Sequence, residues 1–204
     1  MSVNERVRQK QETRAALLEA ARRCFAEKGW SETVVADVVR AAGVAHGTFY
    51  VHFRDKDAIG DALLGEFNVA LAARVAPALE RAAEEPEARV RAAARAFLAT
   101  LAAERAFVGW YAERLALGAS GETFFGGINP EARVLLDTWL DRTGVDATQR
   151  PLLVHGLLAL WIRIGLRTVL ADEKPKVAEE VIVRATVGAI GAFVEPTKKK
   201  TRAR

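Results

Sequence analysis

Thr33 to Lys56 reads TVVADVVRAAGVAHGTFYVHFRDK, and the reading of this stretch decides the fold. It divides into two short helical segments broken at Ala42-Gly43-Val44, followed by Thr48, Phe49, Tyr50, His52 and Phe53. A helix begun at Thr33, a suitable N-cap, buries Val35, Val38 and Val39 at i, i+3 and i+4 spacing. Gly43 supplies a left-handed residue that lets a second helix leave at a steep angle. That second helix is about two turns long and uncharged, too short to be stable by itself, so its neighbours must hold it. The outline is a helix-turn-helix reading head.

Upstream, residues 1–9 are polar and read as frayed chain. A helix follows from about Thr13 to Lys28, with Leu17, Leu18, Ala21, Cys24 and Phe25 on one face and Gly29 as its stop. Cys24 lies in that apolar stripe and is expected in the core, since nothing nearby would polarise it as a nucleophile.

Downstream, the rest of the chain reads as helices. Asp55 and Asp57 favour a helix start, and Ile59, Leu63, Leu64, Phe67 and Leu71 continue it toward Glu84, with Pro77 expected to kink or end it. Further helices are expected from Glu85-Pro86-Glu87 through Ala103, with Val90, Ala94, Phe97, Leu98 and Leu101 inside, and from Glu104 to Leu117. Gly118 to Asn129, with Phe124 and Phe125, reads as a loop. Asn129-Pro130 starts a helix holding Val134, Leu135, Trp139 and Leu140, which Gly144 stops. Asp146 or Thr148 opens Pro151–Ala171, and Lys176–Val194, bracketed by Pro175 and Pro196, is the last helix. No strand is expected. The fold class is all-α, about nine helices. The domains are a head over 10–58, a body over 59–196 and a basic tail over 197–204.

Charge follows the same division. The chain has 204 residues and a net charge of +4. Residues 1–56 carry ten Lys/Arg against seven Asp/Glu, the last eight carry five Lys/Arg and no acid, and the stretch between is net −4. Basic ends suggest an anionic partner there. One cysteine excludes a disulfide framework or a cysteine-based metal site within one chain and fits a reducing cytoplasm. The N-terminus lacks an apolar signal core. The apolar run Leu152 to Leu170 is interrupted by His155, Arg163 and Arg167, which argues for a helix buried in protein over one spanning a membrane.

Gly29-Trp30, Thr33, Ala41-Ala42-Gly43-Val44, Gly47-Thr48-Phe49-Tyr50, His52-Phe53 and Lys56 together closely resemble the DNA-binding head of the tetracycline-repressor (TetR) family over about residues 10–58. The body resembles the family only in length and helix count. The resemblance implies a homodimeric repressor of double-stranded operator DNA, with a body that binds a small-molecule effector and controls the spacing of two heads. It assigns phosphate contacts to Tyr50 and Lys56, and groove contacts to His46, Gly47 and Thr48.

The residues carry a compatible chemistry. Ala45, Gly47 and Thr48 are small enough for close approach to a groove floor. Tyr50, His52 and Lys56 lie on the rim side, where hydroxyls and cations fix register through phosphates, and Thr33 begins the partner helix. Phe49 and Phe53 are expected in the core. Val34, Ala36 and Val51 depart from the family's usual polar or larger residues, which leaves His46 as the chief candidate for direct base readout, with Ala45 or Thr48 methyl contacts to thymine and some readout through DNA shape.

In the body, Phe107, Trp110, Tyr111, Trp139 and Trp161, with polar Arg114 and His155 among them, form the candidate effector site. Arg163 and Arg167 stand at i, i+4 on a greasy helix. They must pair with acids such as Glu113 or Asp137, meet an anionic ligand or lie at a dimer edge. Leu160, Arg167, Gly188, Gly191 and Ala192 on the last two helices are the candidate dimer interface, which would close as a four-helix bundle. No cofactor, metal or membrane partner is expected. No phosphate loop, metal-ligand cluster or nucleophile–base pattern suggests an enzyme. The competing reading is an effector-independent architectural DNA-binding protein.

Overall fold

The computed structural model describes residues 2–81, 85–117 and 130–194. Among them it shows nine helices: α1 (Val3–Glu32), α2 (Val35–Ala42), α3 (His46–His52), α4 (Lys56–Arg81), α5 (Pro86–Ala103), α6 (Arg105–Ala116), α7 (Pro130–Thr143), α8 (Arg150–Leu170) and α9 (Pro175–Phe193). No strand occurs among the described residues; the only β feature there is an isolated antiparallel bridge between Val145 and Val194. The expected Gly118–Asn129 loop and the tail lie outside the described residues.

The chain forms two compact units. The head unit contains the described chain up to Leu71 together with the described part of Leu101–Gly127, so α6 belongs with the helix-turn-helix and not with the remainder of the body. This differs from a division at residue 58. The physical reason is apolar: Phe67 of α4 stacks on Phe107 of α6 at 4.1 Å, and Phe25 and Trp30 of α1 lie 5.1 and 5.7 Å from Trp110.

Within the head unit, Leu17, Ala21, Cys24 and Phe25 of α1, Val38 and Val39 of α2, Phe49 of α3, Phe53, and Ile59 and Leu63 of α4 are all buried. Burial pushes the Cys24 thiol above its ordinary range, as suits a small core hydrophobe. Asp55 caps α4 by accepting the Ala58 N–H at 2.7 Å.

α1 is longer than the sequence pattern suggests. It starts at Val3, where the Ser2 hydroxyl accepts the Glu5 N–H at 3.2 Å and the Glu5 carboxylate accepts the Ser2 N–H at 3.4 Å. This reciprocal cap replaces the expected fray. Gly29, with φ +81°, kinks the helix, and the chain turns on through Glu32 before the first helix of the motif begins. Pro77 likewise lies inside α4 and does not end it.

The body unit contains Ala72–Thr100 and the described part of Ile128–Arg204. Leu140, Val145, Val154, Leu157 and Ile190 form one core cluster in it, with Trp139 packed alongside. Val134 is exposed and does not join it. Gly144, at φ +84°, ends α7 as expected. Arg91 and Arg95 of α5 are bound to Glu179 and Glu180 of α9 over 2.8 to 3.3 Å. Leu152, Leu170, Val177, Val181 and Phe193 are exposed. By length and composition α4 and α8 could each cross a membrane, yet only 33% of the apolar window of α8 is buried inside the chain.

Candidate nucleic-acid interface

The α2–α3 motif is built as its sequence requires. Val38 and Val39 bury the inner face of α2 and Val35 is half-buried. Gly43 takes φ +67°, and its N–H and that of Val44 return to Arg40 and Val39 carbonyls at 3.3 and 3.1 Å. A β-branched or bulky residue there would be strained, since the left-handed region brings Cβ against the following carbonyl. The cap of α2 differs from expectation. Val34 takes the N-cap position, and the Asp37 carboxylate accepts its N–H at 3.2 Å. Asp37 also pairs with Lys28 at 2.9 Å. The Lys28 contact, then the Val34 N–H, holds its pKa below the ordinary carboxylate value.

Thr33 is a correction. Its side chain is fully buried, and its hydroxyl is within donating distance of the Gly29 carbonyl at 2.7 Å and the Cys24 carbonyl at 3.2 Å. It seals the kinked end of α1 and has no surface with which to touch a phosphate.

α3 separates its residues cleanly. Phe49 and Phe53 are buried, 5.8 Å apart, and anchor the helix to the core. Ala45, His46, Gly47, Tyr50 and Val51 are exposed, while Thr48 and His52 are half-buried. The His46 and Tyr50 rings lie 5.4 Å apart at i, i+4 on the outer face. Partial burial, with Lys10 and Arg14 nearby, holds His52 below the ordinary imidazole pKa, so it is neutral at pH 7. The surface left to a ligand is therefore made of small residues with two aromatic rings at its rim.

Lys56 has a double role in the geometry. Its ammonium donates to the Trp30 and Thr33 carbonyls at 2.7 and 3.0 Å and sits 4.7 Å from the Trp30 ring centre. Those carbonyls lie in the chain between the Gly29 kink and α2, so Lys56 ties the start of α4 to the junction that aims the motif.

α6 fastens the same junction through two adjacent residues that sequence reasoning placed elsewhere. Glu113 accepts the Trp30 N–H at 2.6 Å and the Ser31 N–H at 3.3 Å. Arg114, buried, donates to Asp57 at 3.1 Å and Asp61 at 2.7 Å on α4, and its guanidinium lies 4.8 Å from the Trp30 ring. Gly60 is present because a Cβ there would come within 2.7 Å of Trp30. The sequence signal available was an acid and a base side by side on a helix that is apolar from Ala106 to Trp110.

The seven candidate effector residues divide between the two units. Phe107, Trp110, Tyr111 and Arg114 lie in the head unit, where the aromatics stack on one another and Arg114 is taken up by the two aspartates. Burial raises the Tyr111 pKa. Trp139, His155 and Trp161 lie in the body unit. Trp161 donates its indole N–H to Thr186 at 2.9 Å and meets Phe97 edge-on at 5.6 Å. Arg167 pairs with Glu173 at 3.3 Å, not with Glu113 or Asp137, and Arg163 is exposed. Leu160 is half-buried, and Gly188, Gly191 and Ala192 are exposed. Among the described residues no group of three or more His, Cys, Asp or Glu could hold a metal ion.

The family described as bacterial regulatory proteins, tetR family, matches residues 17–63, which span the second half of α1, the motif and the start of α4. Over these residues the chain is similar to the tetR family. The HTH-type transcriptional repressor DhaR of a Mycobacterium species is 33% identical over 102 residues, 50% of this chain and 52% of that protein. The HTH-type transcriptional regulator TtgR of Pseudomonas putida is 46% identical over 54 residues, 26% of each chain. The chain thus spans about half, or less, of the length of the curated relatives it matches. A TetR-family regulator structure from Syntrophomonas wolfei covers 91% of this chain and 99% of its own at a TM-score of 0.70 and 19% identity, which establishes a shared fold. The tetR-family match thus falls on the residues that form the α2–α3 motif.

Proposed function

We propose that the chain is a cytoplasmic homodimeric transcriptional repressor. In this reading α3 enters the major groove of operator DNA, and a small molecule bound in the helical body releases it. The observation that carries the reading is the division of α3: Phe49 and Phe53 buried as anchors, with His46, Gly47 and Tyr50 presented together on the outer face. Small residues at Ala45 and Gly47 permit close approach to base edges. His46 supplies a hydrogen-bonding group to them, and Tyr50 a hydroxyl to a phosphate.

Dimerisation is supported by α8 and α9. The apolar side chains they expose would be covered by a second copy, and Gly188, Gly191 and Ala192 allow close helix approach. The effector reading now rests on Trp139, His155 and Trp161, the candidates that share the body unit. A ligand that binds one head spacing better than another shifts the population between them.

The test is selection of duplexes from a random-sequence pool by the full chain, followed by footprinting of the selected sites. Enrichment of a two-fold symmetric site supports the reading; recovery of an unenriched pool removes sequence-specific regulation and favours an architectural role. Small molecules that co-purify with the native protein, identified by mass spectrometry and added back to the complex, test release.

A further inference from the structure

α1 projects well beyond the core. Its first fully buried side chain is Leu17, and residues 2–16 are exposed apart from half-buried Thr13. From Val3 to Leu17 an α-helix rises about 21 Å. The Ser2–Glu5 cap fixes its start.

Charges are sorted around this arm. At about 100° per residue, Arg6, Lys10 and Arg14 fall within an arc of roughly 80° that also contains the core residues Leu17 and Ala21. Glu5, Arg8 and Glu12 fall on the far side, where Arg8 and Glu12 pair with each other at 3.4 Å. Among the described residues, Arg6, Lys10 and Arg14 form no ion pair. The side of α1 that packs into the head farther along therefore becomes a cationic stripe once the head ends.

That stripe is continuous with the recognition helix. The Arg14 guanidinium lies 5.1 Å from the ring centre of Phe53, the residue that closes α3, and both Lys10 and Arg14 act electrostatically on His52.

We propose that residues 3–14 are a preformed second DNA-contacting element, in which Arg6 and Lys10 bind backbone phosphates of double-stranded DNA flanking the segment read by α3. The inference rests on the reading of α3 as the DNA-facing helix. Because the arm is already helical, little backbone ordering accompanies binding. Exposed, unpaired cations suit phosphates, which set position and add affinity without adding sequence preference.

Counterion release makes the idea measurable, since each phosphate contact contributes about 0.9 to the slope of log affinity against log salt on B-DNA. Affinity of the full chain for a duplex selected from a random-sequence pool would be measured between about 50 and 200 mM salt. The double variant Arg6→Gln/Lys10→Gln should lower the slope by about 1.8, keep the order of preference among selected sequences, and lose hydroxyl-radical protection only at the flanks of the site. Arg8→Gln, on the far side of the arm, should leave slope and footprint unchanged. An unchanged slope in the double variant, with helix content retained by circular dichroism, overturns the proposal; so does an equal loss of slope in Arg8→Gln. A parent chain that binds no duplex overturns both this proposal and the reading of α3. If the arm variant changes the slope while His46→Ala leaves sequence preference untouched, the arm stands and the assignment of base readout to His46 fails.

Discussion

The carboxylate of Glu113 on α6 accepts the backbone N–H of Trp30, 83 residues earlier in the chain, at 2.6 Å. This is an N-terminal cap supplied from another helix to the turn that follows a kink. It satisfies a part-buried donor and ties α6 to the junction from which α2 and α3 depart.

Glu113→Gln is expected to destabilise the head by about 1.5–3 kcal/mol at pH 7, the range for a hydrogen bond to a charged group. Contact with the Ser31 hydroxyl, then the Trp30 and Ser31 N–H groups, holds the Glu113 pKa below the ordinary carboxylate value. A depressed carboxylate contributes stability that is present above its unfolded pKa, about 4.3, and is lost as pH falls through the folded value. Thermal melts should therefore show the gap between parent and Gln variant constant from pH 8 to about 5 and shrinking below about pH 4. A gap that persists at pH 3 would mean the carboxylate charge is not what stabilises the turn.

Gly60→Ala and Gly65→Ala, both on α4, are expected to move in opposite directions. Alanine is favoured over glycine in a helix by about 1 kcal/mol, and a Cβ at Gly65 meets nothing within 4 Å. At Gly60 it would lie 2.7 Å from the Trp30 ring. Overpacking of that kind costs about 1–3 kcal/mol. Differential scanning calorimetry should find Gly65→Ala raising Tm and Gly60→Ala lowering it.

Tyr50→Phe and Lys56→Ala should both weaken binding to all DNA sequences, by about fivefold or more for a lost hydrogen bond worth about 1 kcal/mol. They should differ in stability. Tyr50 is 53% exposed, so Tyr50→Phe should leave Tm unchanged. Lys56→Ala removes the two contacts to the Trp30 and Thr33 carbonyls and should lower Tm. His46→Ala should instead alter the ranking of sites. Fluorescence anisotropy on a panel of duplexes, beside melts of each variant, separates the three outcomes; full affinity in both Tyr50→Phe and Lys56→Ala would rule out the proposed docking mode.

Gly188→Trp should yield monomers in sedimentation velocity. A side chain added at Gly188 meets nothing within 4 Å in the protomer, so the protomer can accept it. An intact dimer would place the interface elsewhere.

The motif was legible because its signals are local. Val38 and Val39 at adjacent inward positions, Gly43 at the left-handed turn, and Phe49 and Phe53 at i, i+4 each need only a few neighbours to be read, and each sits as expected. The start of α1 was also local, since Ser2 and Glu5 form a capping box, but the polar run after it resembled disorder. Thr33 misled because a hydroxyl before a helix looks like an N-cap, whereas here it closes the preceding helix from inside. The placement of α6 was not legible. Phe107 and Trp110 at helical spacing say that a face is buried, not that Phe67 and Phe25 bury it. Nor could spacing show that Arg114 would find Asp57 and Asp61, more than fifty residues away.

The unbroken length of α1 ahead of its kink makes it a lever. From Val3 to Lys28 it extends about 38 Å, so a rotation of about 5° about the Gly29 end carries the Val3 end through roughly 3 Å. Glu113 holds the turn just beyond the fulcrum, and Arg6 and Lys10 ride near the far tip. Any rotation at the Gly29 end would therefore be larger at Arg6 and Lys10 than at the turn that Glu113 holds.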